Sequence, residues 1–453
     1  MKIENDLGRD DIKRLAVRLA VPSMLAQFVN VLYSVVDRMY IGNIPVIGDI
    51  ALAGVGVCGP IVTLISAFAY LVGVGGSPLM SIRMGEENDT EAKKILSNSF
   101  LMLAVLALII TVSALLGKEW ILRRFGASEA IYPYAERYFT IYMMGTFFAL
   151  MSVGMNQFII CQGFARVGME SVTLGAVLNI ILDPVFIFRL HMGVEGAALA
   201  TVLSQTASCI FVLCFLCSSR VPIRLGLGGY EKRLMIRILI LGLTPFLIIA
   251  FDNVLIITLN TVIQIYGGTE ADKLLTCMTI VQSFMLVVTM PLGGITVGTG
   301  PILGYNFGAR QPDRIRKAQR YIALMAVSFT SVMFLISQTV SRYFVQIFTR
   351  NPEYIEVAVR GIRIYTLGII PLGLQYAIVD GFTSMGVPQA AVCLSTFRKT
   401  VYMAGAVLIP SVFGIYSLFY TEPLSDFAGT AVSAVVYAAC IGKILKRCEA
   451  GEA

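Results

Sequence analysis

Long apolar stretches recur from one end of the chain to the other, each closed by charged residues or by Gly and Pro. Twelve are found, at about 20–41, 52–74, 98–117, 136–160, 171–190, 196–217, 238–265, 274–298, 321–341, 361–382, 390–413 and 427–445. A helix crosses a bilayer with about 20 apolar residues, whereas a spanning strand needs only about 9–11 and alternates apolar with polar. The pattern predicts an all-α polytopic membrane protein of twelve transmembrane helices, and the short connections leave no soluble catalytic domain. The opening MKIENDLGRDDIKRLAVR is too acidic and too long to precede a cleaved signal, so residues 20–41 read as a retained first span.

The two halves repeat. Gly76-Ser-Pro-Leu-Met-Ser-Ile-Arg-Met-Gly85 closes span 2, and Gly300-Pro-Ile-Leu-Gly-Tyr-Asn-Phe-Gly308 closes span 8. Pro78 and Pro301 are 223 residues apart, as are Gly85 and Gly308, and Pro22 and Pro245. Gln157–Gly163-Phe164–Gly168 returns at an offset of 218 as Gln375–Gly381-Phe382–Gly386. Six spans per half keep both halves in the same orientation. This predicts two six-helix lobes about a pseudo-two-fold axis along the membrane normal, with a cleft between them. The lobes are expected at 1–219 and 238–453, joined by a cytoplasmic linker at 220–237.

Composition agrees: 57% of the 453 residues are hydrophobic and 14% charged, against about 45–50% and 25% in a soluble domain. The formal charge of +7 is spread over short segments between apolar runs, which argues against nucleic acid as a partner. With the N-terminus inside, cytoplasmic segments hold 22 of the 35 Lys and Arg, outer segments 10 and the spans 3. Basic residues accumulate on the cytoplasmic side, so both termini are expected there, in a multi-pass cell-membrane protein.

Candidate chemistry is sparse. Gly54-Val-Gly56-Val-Cys-Gly59 satisfies GxGxxG but opens an apolar span, where small residues serve helix packing. GxxxxGK[ST] is absent, so uphill movement would draw on an ion gradient rather than ATP. One histidine (His191), a lone Cys214/Cys217 pair and no HExxH point away from metal or redox chemistry and from an enzyme. Acids inside spans are the informative residues, because an ionisable group there is costly and marks function. Four qualify: Asp37, Asp183, Asp252 and, near the inner end of span 10, Asp380. Asp37, Asp183 and Thr201 fall at similar depth on spans 1, 5 and 6, and Asn179 lies one turn before Asp183 on the same face. These hard oxygen ligands suit a small cation or a proton. Arg38 points about 100° away from Asp37 and is expected to snorkel to the outer interface. In the second half, Asp252 and the Arg398/Lys399 pair can meet near mid-membrane, as a packing pair or on the wall of a substrate cavity.

The arrangement resembles the multidrug and toxin extrusion (MATE) transporters, in the bacterial DinF-like branch. The resemblance rests on the two-lobe twelve-span plan and on an ordered set of motifs. These are Pro22, Val36-Asp37-Arg-Met-Tyr-Ile-Gly42, a Gly75-Gly-Ser-Pro78 break, Gln162-Gly163, Leu178-Asn-Ile-Ile-Leu-Asp183-Pro184 and Gly196-Ala-Ala-Leu-Ala-Thr201. It implies a cation-coupled antiporter that exports amphipathic, often cationic drugs by alternating access. Asp37, Asn179, Asp183 and Thr201 then form the first-lobe H+ or Na+ site, and Pro22 has a conformational role. No resident cofactor is implied, and a monomer is expected. The 20 methionines suit a cavity for varied apolar substrates. A lipid-linked precursor flippase on the same fold is the alternative, favoured if basic residues line the cavity.

Overall fold

The computed structural model describes residues 5–45 and 48–450. Its helices are α1 (Ile12–Gly42), α2 (Gly48–Gly85), α3 (Asp89–Leu116), α4 (Lys118–Arg124), α5 (Tyr132–Met144), α6 (Thr146–Cys161), α7 (Ala165–Pro184) and α8 (Gly193–Cys217) in the first half. The second half contains α9 (Lys232–Tyr266), α10 (Ala271–Gly308), α11 (Pro312–Thr339), α12 (Ser341–Gln346), α13 (Pro352–Tyr365), α14 (Ile369–Ser384), α15 (Pro388–Phe413) and α16 (Thr421–Ala450). Eleven segments are long and apolar enough to cross a membrane, and α5 with α6, bent by 55°, makes the twelfth. Short polar side chains fix the starts: Asp11 accepts from the Arg14 N–H and Asn88 from the Glu91 N–H, each at 3.1 Å.

Helix ends depart from the apolar runs. Gly75-Gly-Ser-Pro78 is no break, because α2 continues to Gly85 with Pro78 inside it, and α10 likewise runs through Pro301 to Gly308. Proline is tolerated within membrane helices whose neighbours re-satisfy the freed carbonyl. At the other end of the chain α16 starts at Thr421, six residues before the apolar stretch at 427.

The repeat has a single register. The bounds of α2 and α10, of α3 and α11, and of α6 and α14 are all offset by 223 residues. Left-handed turns follow the same rule: Glu87 and Arg310 have φ of 58° and 55°, and Gly163 and Gly386 have φ of 91° and 75°. The 218-residue match around Gln157 and Gln375 is therefore out of structural register by more than one turn, and Gln157 corresponds to Asp380. Buried apolar residues form two cores, one dominated by each half.

The lobes meet along a seam of small residues. A Cβ on Gly85 would collide with the Tyr305 carbonyl, and one on Gly308 with the Ile82 carbonyl, two contacts that exchange under the 223-residue shift. Gly75 likewise abuts the Ile238 carbonyl and Gly242 that of Leu71, while Gly294 and Gly298 abut Ser23. Missing side chains thus let backbones of opposite lobes touch at the end that carries the α2–α3 and α10–α11 turns. Farther along, no residue of α1 from Gln27 to Tyr40 is buried, nor any of α9 from Pro245 to Val254. A helix sealed against the other lobe would bury every third or fourth residue, so the cleft is open at this end. Gly242→Val is expected to hold the seam apart. Spin labels at Glu87 and Asp313 in opposite lobes should then show longer, broader distances, and an unchanged distribution would rule out this role for the glycines.

Candidate functional site

In the first lobe the expected residues converge. The α7 helix presents Asn179 and Asp183 one turn apart, and immediately past Pro184 it widens into a π-helical turn, Val185–Arg189, a device common beside functional sites. Asn179 Nδ2 donates to Asp183 Oδ1 at 3.2 Å and to Thr201 Oγ1 at 3.4 Å. Asp37 arrives from the open stretch of α1, and its carboxyl adjoins that of Asp183. Asp183 is 0% exposed, Asn179 2% and Thr201 7%. Arg38 is exposed and makes no ion pair among the described residues, as its direction on the helix predicts.

The acceptors in this cluster are not all satisfied. Asp37 Oδ1, Asp183 Oδ2, Asn179 Oδ1 and Gln205 Oε1 are buried without a hydrogen-bond partner. Each such orphan costs about 1–3 kcal/mol. Ionised carboxylates are acceptors alone, so adjoining acids have no favourable contact with each other until a proton or a cation lies between them. The cluster is thus a set of converging oxygens that a proton or a small cation completes.

Several members have no signal in the sequence. Tyr33 and Tyr138 lie beside the acids, Tyr138 stacks on Tyr142 at 6.1 Å, and Gln205 Nε2 reaches the Tyr142 hydroxyl at 3.5 Å. The one hint was the i, i+4 spacing of Tyr138 and Tyr142 on α5, shared with much ordinary packing.

The second lobe is built differently. Lys399 Nζ bonds to Asp252, whose side chain is 48% exposed. Arg398 does not join that pair. Its guanidinium donates to Asp426 Oδ1 at 3.1 Å and to Glu422 Oε1 at 3.2 Å, deep between α15 and α16. Both acids lie outside the apolar stretches of the sequence, because the run of the last span begins only at 427. Asp380, on α14, accepts from Thr296 of α10 at 2.5 Å. The 223-residue equivalents of Asn179 and Asp183 are Tyr402 and Ala406, and Tyr402 forms a buried 2.7 Å hydroxyl pair with Tyr365. The acid cluster is not duplicated. Both cations at mid-membrane are neutralised, so no free basic group from this pair is left for a lipid phosphate, and the flippase alternative finds no support.

Twelve spans in two symmetric lobes, with a cleft open at one end and buried acids beside it, define a membrane transporter. The chain belongs to the MatE family, whose profile matches residues 22–185 and 249–408, and is thus a transporter of the MATE multidrug efflux family rather than an enzyme. It is similar to the "Multidrug export protein MepA" of Staphylococcus haemolyticus, strain JCSC1435, at 24% identity over 92% of each chain. It is also similar to that of Staphylococcus aureus, strain NCTC 8325, at 22% over 94% of each. Among solved structures, one described as the outward-facing conformation of a multidrug resistance MATE family transporter of the MOP superfamily superposes with a TM-score of 0.90. It is 22% identical and covers 97% of this chain and 98% of the other.

Proposed function

We propose that the protein is a cation-coupled antiporter that exports amphipathic, mostly cationic compounds, with Asp37 and Asp183 binding the coupling ion. The observation that carries this is the pair of adjoining carboxyls with orphaned oxygens, one of them on the helix that borders the open cleft. A direct carboxyl contact favours H+ as the ion over Na+, with Asn179 and Thr201 holding the acids in place.

The coupling runs through α1. Its outer half carries Asp37 against α7, and its inner half packs Ser23 against Gly294 and Gly298 of the opposite lobe. Pro22 lies at the seam, where its missing N–H removes one helical bond and makes bending cheap. Ion arrival at the acids from the cleft favours the conformer with the seam closed, and drug arrival favours the other. The two ligands must differ in affinity for the two states for this to do work. The balance of 22 inner to 10 outer basic residues supports placing both termini and the closed seam on the cytoplasmic side.

Cells that express the protein should tolerate more of a lipophilic cation such as ethidium, and no more of a small hydrophilic anion. Unchanged tolerance to a panel of lipophilic cations, with the protein present in the membrane, would refute the substrate class.

A further inference from the structure

Far from the acid cluster, at the end of the second lobe where the cleft opens, lies a cavity of about 420 Å³ between α12, α13 and the 3-10 turn Ile415–Tyr420 that leads into α16. Asn351 caps α13 by accepting from the Glu353 N–H at 3.0 Å, and Pro352 takes the first helical position. The helix so started places Glu356, Arg360 and Arg363 at i, i+4 and i+7, on one face. Arg342 reaches the same cavity from α12. Its floor is apolar, formed by Ile355, Val359 and Ile364, and Tyr420 closes one side.

Three observations set this cavity apart. First, Arg342, Arg360 and Arg363 have no ion pair among the described residues, although Glu356 lines the same space. At the corresponding end of the first lobe Lys118 pairs with Glu136 at 2.5 Å, Arg123 with Glu129 at 2.6 Å and Arg137 with Glu195 at 3.5 Å, and the cations without an ion pair there among the described residues, Arg38, Arg124 and Arg189, lie on three different elements and not on one cavity wall. Second, the three arginines belong to the outer segments, where basic residues work against correct insertion, and residues 342–363 supply four of the ten. Charge kept at a topogenic cost calls for a use. Third, Tyr343, Ile347 and Phe348 beside the cavity are 71%, 76% and 47% exposed, and exposed aromatic and apolar residues at a helix end suit the membrane–water interface.

We propose that this cavity binds the headgroup of an anionic phospholipid, with the arginines on the phosphate diester and the apolar floor under the glycerol and first acyl carbons. Three guanidiniums and one carboxylate leave a charge of +2 around a singly charged diester, and arginine matches phosphate oxygens in bidentate geometry. The second observation and the assignment to the outer leaflet rest on the orientation proposed above, and that is tested separately. Single cysteines at Thr349 and Asp313 should be labelled from outside and from inside, respectively.

The test uses the purified full chain in a neutral detergent, with dioctanoyl-phosphatidylglycerol, dioctanoyl-phosphatidylcholine and inorganic phosphate as probes and native mass spectrometry as readout. Phosphatidylglycerol should bind at one saturable site that phosphatidylcholine does not occupy and that phosphate at the same concentration does not empty. Each of Arg342→Gln, Arg360→Gln and Arg363→Gln should weaken it about fivefold, and the triple variant about a hundredfold. Glu356→Gln should tighten binding a few-fold, which keeps the test decisive if the triple variant folds poorly. Equal binding of the two lipids, undiminished binding by the triple variant, no gain from Glu356→Gln, or displacement by free phosphate would each overturn the proposal.

Discussion

Asp37→Asn and Asp183→Asn are each expected to lower gradient-driven export about a hundredfold while leaving fold and drug binding in place. Asparagine keeps the size and part of the hydrogen bonding, so the helices around Thr201 need not move. What it removes, on the coupling proposed above, is the group that would gain or lose a proton, and with it the difference in ion affinity between the two conformers. A coupling of about 1–3 kcal/mol, or 5–150-fold, is typical of linked sites, and removal of either acid forfeits it. Because the two carboxyls adjoin in one cluster and would share one ion, the double variant should be little worse than either single one. Additive losses in the double variant would show that the acids act separately. Drug affinity of the detergent-purified variants, measured by ligand fluorescence, should change by less than the transport rate.

The second large effect is on stability. Asp426→Ala is expected to cost about 3–5 kcal/mol, because it leaves Arg398, 7% exposed, with Glu422 alone in the interior of the second lobe. Thermal unfolding in detergent reads this as a clear fall in the midpoint. Lys399→Met should cost much less, since its partner Asp252 is 48% exposed and water in the cleft compensates the lost ion pair. An Asp426→Ala midpoint equal to that of the parent protein would mean that the Arg398 network contributes nothing to packing and belongs with the substrate site instead.

Much of this architecture is legible in the residues alone, for identifiable reasons. Apolar length sets the number of spans, because a bilayer admits few alternatives. The first-lobe cluster is legible because Asn179 and Asp183 share a helical face and an acid within a span is rarely idle. Helix ends are not legible from hydropathy. The α2 and α10 helices run well past their apolar runs into a seam held by backbone contact, which glycines permit without any apolar signal. The same cause hid Glu422 and Asp426, since α16 starts before its residues turn apolar. The 218-residue match misled because its recurring glycines include one, Gly386, whose left-handed turn corresponds to that of Gly163 at 223. Tyr33, Tyr138, Tyr142 and Gln205 join the acid site through tertiary packing, which single-helix spacing does not record.

Cation coupling through the first lobe is tested most directly in proteoliposomes with an imposed pH gradient and no Na+, with fluorescence of ethidium as the readout and protein normalised to its folded fraction. The account predicts that ethidium moves against its own gradient toward the acid side, that collapsing the pH gradient stops it, and that Asp37→Asn and Asp183→Asn move ethidium only downhill. Uphill movement that persists in either variant, or that requires Na+ or ATP in the parent protein, would contradict it.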